Sequence, residues 1–101
     1  MFIAMNRFQV APGRGGDFES AWRDRKSYLN QVPGFRSFKL LKGEGGVYIS
    51  HSTWDDEAAF VAWTESDAFR KAHGQRLPEG VLAGPPQVSC FDVVISENGA
   101  N

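Results

Sequence analysis

The chain reads as an α+β protein, and three observations carry that reading. Strand-like runs rich in apolar, branched and aromatic residues occur at Phe2–Val10, Arg36–Lys42, Val47–Trp54 and Val88–Ile95. Helical spacing of apolar residues fills the stretches 17–31 and 55–73 between them. A glycine-rich turn, Gly43-Glu44-Gly45-Gly46, joins the second and third strands directly. The resulting order is β-α-β-β-α-β, with the second helical region broken in two. That is the ferredoxin-like pattern, a four-stranded antiparallel sheet with helices on one face. The opposite face is left bare and carries Ile3 and Met5, and an apolar bare face predicts a homodimer.

In the first strand, Phe2, Ala4, Asn6, Phe8 and Val10 point one way, and Ile3, Met5, Arg7 and Gln9 the other. Asn6 lies in the middle of the more apolar row. A buried amide without partners costs roughly 1–3 kcal/mol. Asn6 is therefore either satisfied by nearby backbone or faces a cavity where it donates a hydrogen bond. The turn 11–16 contains GRGG, which matches neither a dinucleotide nor a Walker phosphate pattern. A helix is expected from Asp17 to about Gln31, stopped by Pro33-Gly34. Phe18, Ala21, Trp22, Arg25, Tyr28, Leu29 and Val32 form its stripe. Arg25 interrupts that stripe. It either snorkels, with its stem buried and its head in water, or aims its guanidinium at a ligand carboxylate.

His51 shares parity with Val47 and Ile49 in the third strand and reads as a core or edge histidine. Asp55 is expected to cap the next helix, which carries Ala58, Ala59, Phe60 and Trp63. Ser66 and Asp67 are cap-type residues before a short helix on which Phe69, Ala72 and His73 share a face. Gly74 follows as a C′ residue. His73 is thus presented at a helix C-terminus beside an aromatic ring. It is either an ordinary helix-end histidine or a metal ligand favoured by the partial negative field there. The long stretch from Gln75 to Gln87 is expected to be a loop, and such loops are often lids. Residues 1–96 are expected to form a single domain, with 97–101 a polar tail.

The totals exclude several classes. A formal net charge of −1 gives no bulk electrostatic case for nucleic acid or an anionic membrane surface. No stretch approaches a membrane-spanning length and no signal peptide is evident, so a cytoplasmic protein is expected. The one cysteine, Cys90, excludes an intrachain disulfide and is expected to be buried. Eight Phe, three Trp and two Tyr suit a pocket for a flat apolar ligand, and equally suit a plain core.

With Asn6, Trp63 and His73 placed, the chain resembles the IsdG-type heme-degrading monooxygenases. These belong to the antibiotic biosynthesis monooxygenase superfamily of dimeric α/β barrels. The matching pieces are the first-strand Asn in AMNRF, the turn Pro33-Gly34-Phe35, the run Ser52-Thr53-Trp54, and W-x2-S-x2-F-x2-A-H from Trp63 to His73. The resemblance implies that His73 is the proximal ligand to heme iron, that Asn6 hydrogen-bonds the distal ligand, and that Trp63 presses on the porphyrin and ruffles it. Arg25, Trp22 and Phe69 would join them around the ring. Heme would be both cofactor and substrate. O2 and an external electron donor, a separate reductase, would open it to a bilin and free iron for iron acquisition. The fold and the aromatic pocket also permit two alternatives: a cofactor-independent monooxygenase acting on a quinol or polyketide, and a non-enzymatic heme-binding protein.

Overall fold

The computed structural model describes residues 1–25, 27–73 and 77–99. In chain order the elements are β1 (Phe2–Gln9), α1 (Gly15–Asp24), a 3-10 turn at Leu29–Gln31, β2 (Phe35–Lys42), β3 (Val47–Trp54), α2 (Glu57–Thr64), α3 (Asp67–His73) and β4 (Gln87–Asp92). The four strands form one antiparallel sheet in the order β2-β3-β1-β4. The expected ferredoxin-like topology is the observed one. Among the described residues, no helix is long and apolar enough to cross a membrane.

Alternation along β1 sets the inner face. Phe2, Ala4, Phe8 and Val10 are buried. On β3 the inner residues are Tyr48, Ser50, Ser52 and Trp54, which lie opposite Phe8, Asn6, Ala4 and Phe2 of β1. The buried residues divide into two clusters. One holds Phe2, Ala4, Leu29, Trp54 and Trp63. The other holds Phe8, Val10, Phe18, Tyr48 and Val81.

Several local expectations are corrected. The first helix ends at Asp24, well before Gln31. Arg25 turns to extended backbone (ψ 149°), and Tyr28 takes a left-handed conformation (φ 62°) before the 3-10 turn. The apolar spacing nevertheless persists, because Leu29 is still needed in the core. Asp56 caps α2 by accepting from the Ala59 N–H at 2.8 Å. Asp55 instead pairs with Arg36. Ser66 caps α3 as expected: its hydroxyl accepts from the Phe69 N–H at 3.2 Å and donates to the Trp63 carbonyl at 2.6 Å. Gly74 lies outside the described residues.

The segment 77–86 is not a free lid. The Ala11 N–H donates to the Val81 carbonyl, and the Ala83 N–H to the Gln9 carbonyl. Val81 is fully buried between them. Cys90 is exposed, not buried. It lies on the edge strand β4, opposite Ala4, while α2 packs over β1 and β3. Val94 and Ile95, expected in the last strand, lie beyond its end at Asp92 and are exposed.

Two interactions tie the connections to the core. Gly34, in the turn after the 3-10 element, has φ +82°, and a Cβ there would overlap the Ala59 side chain. Only glycine combines that conformation with that approach. Gly34→Ala is expected to destabilise the fold by roughly 2–4 kcal/mol, from left-handed strain plus overpacking. Denaturant unfolding checks this, and a loss below about 1 kcal/mol would show that the turn relaxes freely.

At the other end, the Tyr48 hydroxyl donates to Glu19 at 2.5 Å, and Lys42 and Arg23 flank the same carboxylate. The tyrosine hydrogen bond, seconded by these cations, holds the Glu19 carboxyl below its ordinary value. A carboxyl depressed in the folded state stabilises above its unfolded pKa, and that contribution is lost as pH falls through its folded pKa. Tyr48→Phe is therefore expected to raise the Glu19 midpoint and to flatten the acid limb of stability. A carboxyl-carbon NMR titration with an unmoved midpoint would refute the tyrosine as the main cause.

Candidate active site

Between the two core clusters lies a cavity of about 740 Å³. Its floor is the middle of the sheet, where Asn6 and Ser50 replace apolar residues on the inner face. The Asn6 side-chain oxygen is buried and has no hydrogen-bond partner among the described residues. Of the two floor serines, Ser52 is fully engaged. It donates to the Ala4 carbonyl at 3.2 Å and accepts from the Trp54 indole N–H at 3.0 Å. That pair of bonds stitches β3 to β1 and fixes the Trp54 ring.

The walls are aromatic. On the α1 side, Trp22 stacks on Phe38 of β2, with ring centroids 5.6 Å apart and planes at 16°. Arg25 lies against both rings, its guanidinium carbon 4.0 Å from the Trp22 centroid and 5.5 Å from that of Phe38. Among the described residues it has no carboxylate partner. Burial lowers its pKa from the usual arginine value, yet a guanidinium at this value stays protonated. It is a desolvated cation held by π faces. The ending of α1 at Asp24 puts it there, since a continuous helix would have sent it along the stripe. It therefore does not simply snorkel into water. On the opposite side, Trp63 packs against Trp54 at 5.3 Å and edge-on to Phe69 at 4.9 Å, and Phe60 completes that wall.

The structure thus brings together Asn6, Trp22, Arg25, Trp63 and Phe69 around one cavity. His73 closes α3, but its side chain lies outside the described residues. His51 is on the other face of the sheet, paired in register with Met5 and Lys39. Its Nδ1 is buried without a partner among the described residues. Among those residues there is also no cluster of three or more His, Cys, Asp or Glu side chains placed to hold a metal ion. Sequence reasoning missed Ser50 and Phe38 as lining residues. Strand parity was the available signal, since Ser50 alternates with Tyr48 and Ser52, and Phe38 pairs in register with Ser52.

The antibiotic biosynthesis monooxygenase family profile matches residues 1–75. The chain is 29% identical over 100 residues to the mycobilin-producing heme oxygenase of Mycobacterium tuberculosis, covering 96% of this chain and 92% of that protein. It is 27% identical over 101 residues to a heme-degrading monooxygenase of Shouchella clausii, covering 94% and 92%. Among solved structures it is similar to the heme-degrader MhuD of M. tuberculosis with two hemes bound in its active site. The TM-score is 0.79 at 27% identity, over 97% of this chain and 100% of that one. The family match takes in β1 through α3, the elements that build the cavity. The chain belongs to the antibiotic biosynthesis monooxygenase family.

Proposed function

We propose that the protein is a heme oxygenase, a heme-degrading monooxygenase that opens the porphyrin ring with O2 and electrons to release a bilin and free iron. The observation that carries this reading is the cavity itself. It is large, walled by flat aromatic side chains and floored by an amide whose oxygen has no partner among the described residues, with a half-buried cation at its rim. Those residues fit heme. Stacked and edge-on rings match an apolar macrocycle, and a desolvated guanidinium matches its carboxylates. The names of its relatives point the same way.

Bound heme supplies a redox-active iron and is itself the ring that is opened. The chain's own residues hold and orient it. His73, at the end of α3, is assigned as the proximal ligand. Asn6, on the sheet side, is assigned as hydrogen-bond donor to the distal ligand, an amide being a donor that does not itself ligate. Trp63 presses on the ring, and Trp22, Phe69 and Arg25 bound it. Apolar walls limit water and the loss of reactive oxygen species. Electrons come from a separate reductase. The bare sheet face, with Ile3, Met5, Leu41 and the half-exposed Phe91, is assigned to a homodimer contact. The site of action is the cytoplasm, and residues 1–96 form the heme-binding unit.

Hemin titrated into the protein is expected to give a saturable Soret band. Ascorbate in air with catalase should then remove that band, with a bilin-like absorbance and chelatable iron appearing. Binding without decay would leave a heme-binding protein, and no saturable binding would turn the search to quinol substrates. His73→Ala is expected to shift the Soret band and weaken binding by at least tenfold. An unaltered spectrum and affinity would remove His73 from the iron.

A further inference from the structure

The geometry points to Ser50 as a second hydrogen-bonding residue of the cavity floor, acting beside Asn6 on the small ligand held at the sheet side of the bound ring. This rests on the heme-degrading reading. Ser50 of β3 lies directly opposite Asn6 of β1 in the sheet register. Side chains so paired share a face, with Cβ atoms about 4.5–5.5 Å apart. Both line the cavity. Ser52, two residues on, is consumed by Ala4 and Trp54. The Ser50 hydroxyl is not: among the described residues it has no hydrogen-bond partner. The Asn6 oxygen, buried and unpartnered among the described residues, is costly beneath apolar walls unless a ligand supplies its partner, and the part-buried Ser50 hydroxyl beside it opens on the same cavity.

The row in which they stand limits that ligand. Ser50 is flanked by Leu40 of β2, and Asn6 by Val88 of β4. The polar strip is therefore two residues wide, roughly 5 Å across by the strand spacing, and ends on both sides in apolar side chains. It suits a ligand of one to three atoms, not a carboxylate arm or a second ring. Ser50 offers what Asn6 lacks, a rotatable donor that can follow the ligand's accepting atom.

Fluoride is a suitable probe, because as a ligand of ferric heme it accepts hydrogen bonds from the surroundings. Hemin-loaded wild type, Ser50→Ala and Ser50→Thr are titrated with fluoride and followed by their visible spectra. Ser50→Ala is expected to bind hemin as tightly as wild type but fluoride five- to tenfold more weakly, the effect of one lost hydrogen bond. Ser50→Thr, which keeps the hydroxyl, should stay within about twofold of wild type. Equal fluoride affinity in Ser50→Ala, an equal loss in Ser50→Thr, or a loss of hemin binding itself would each overturn the assignment, the last by showing a structural role. If Ser50→Ala does not fold, Ser50→Val against Ser50→Thr, of nearly the same shape, makes the same comparison. Failure of the wild type to bind hemin saturably would instead overturn the heme reading, and Ser50 with it.

Discussion

An eight-residue strand spans about 26 Å, whereas an eight-residue helix spans about 12 Å. The helices of this chain are short: α1 has ten residues, α2 eight and α3 seven. None can cover the sheet from end to end, so the apolar core forms as two clusters. The space between them is the cavity. The place of the cavity depends on that division. A longer second helix or an unbroken first one would close the gap and leave an ordinary two-layer core.

Each element that crosses the gap places a polar residue there. On β1, Phe2 and Ala4 belong to one cluster and Phe8 and Val10 to the other, with Asn6 between. On β3, Trp54 and Tyr48 mark the two ends, with Ser50 and Ser52 between. After β1, the chain gives Phe18 to one cluster and Leu29 to the other, with Arg25 between. Three separate crossings follow one rule. Polar residues cost little where no apolar neighbour arrives to bury them, and much where one does. The clusters at each end hold the fold, so the middle is free to carry chemistry. Ser52 sits nearest the Trp54 end and is the floor residue that has been drawn into structural bonding.

Topology was legible because strand parity and the hairpin glycines are local signals that tertiary packing did not override. The same parity made Asn6 stand out within its row. What was not legible followed from packing at a distance. Helical spacing alone continues smoothly through Arg25 to Leu29, because Leu29 is needed in the core whether it arrives on a helix or on a 3-10 turn. Only the left-handed Tyr28 and the extended Arg25 reveal the break. Cys90 looked buried because it lies in an apolar run, but on an edge strand with the helices centred elsewhere such a run stays exposed. Ser50 passed unnoticed because a serine in a strand carries no signal until its cross-strand partner is known. Asp55 and Asp56 are equally good caps by composition, and Arg36, on another strand, decided between them.

The break after α1 also sets where the Arg25 guanidinium lies. On a continuous helix its neighbours at i−3 and i+4 would be Trp22 and Leu29, and its long stem would lie along the stripe with the guanidinium free to reach water. With the helix ended, the backbone at residue 25 is extended, and the guanidinium folds back over Trp22, which is itself stacked on Phe38. The guanidinium sits against both rings, and the three groups form one wall. A cation held only by π faces is attracted more weakly than one paired with a carboxylate, and burial costs it hydration that the rings only partly return. Such a cation is poised to gain most from an anionic group entering the cavity. The wall is therefore both shape and charge: two flat rings with one cation held against them.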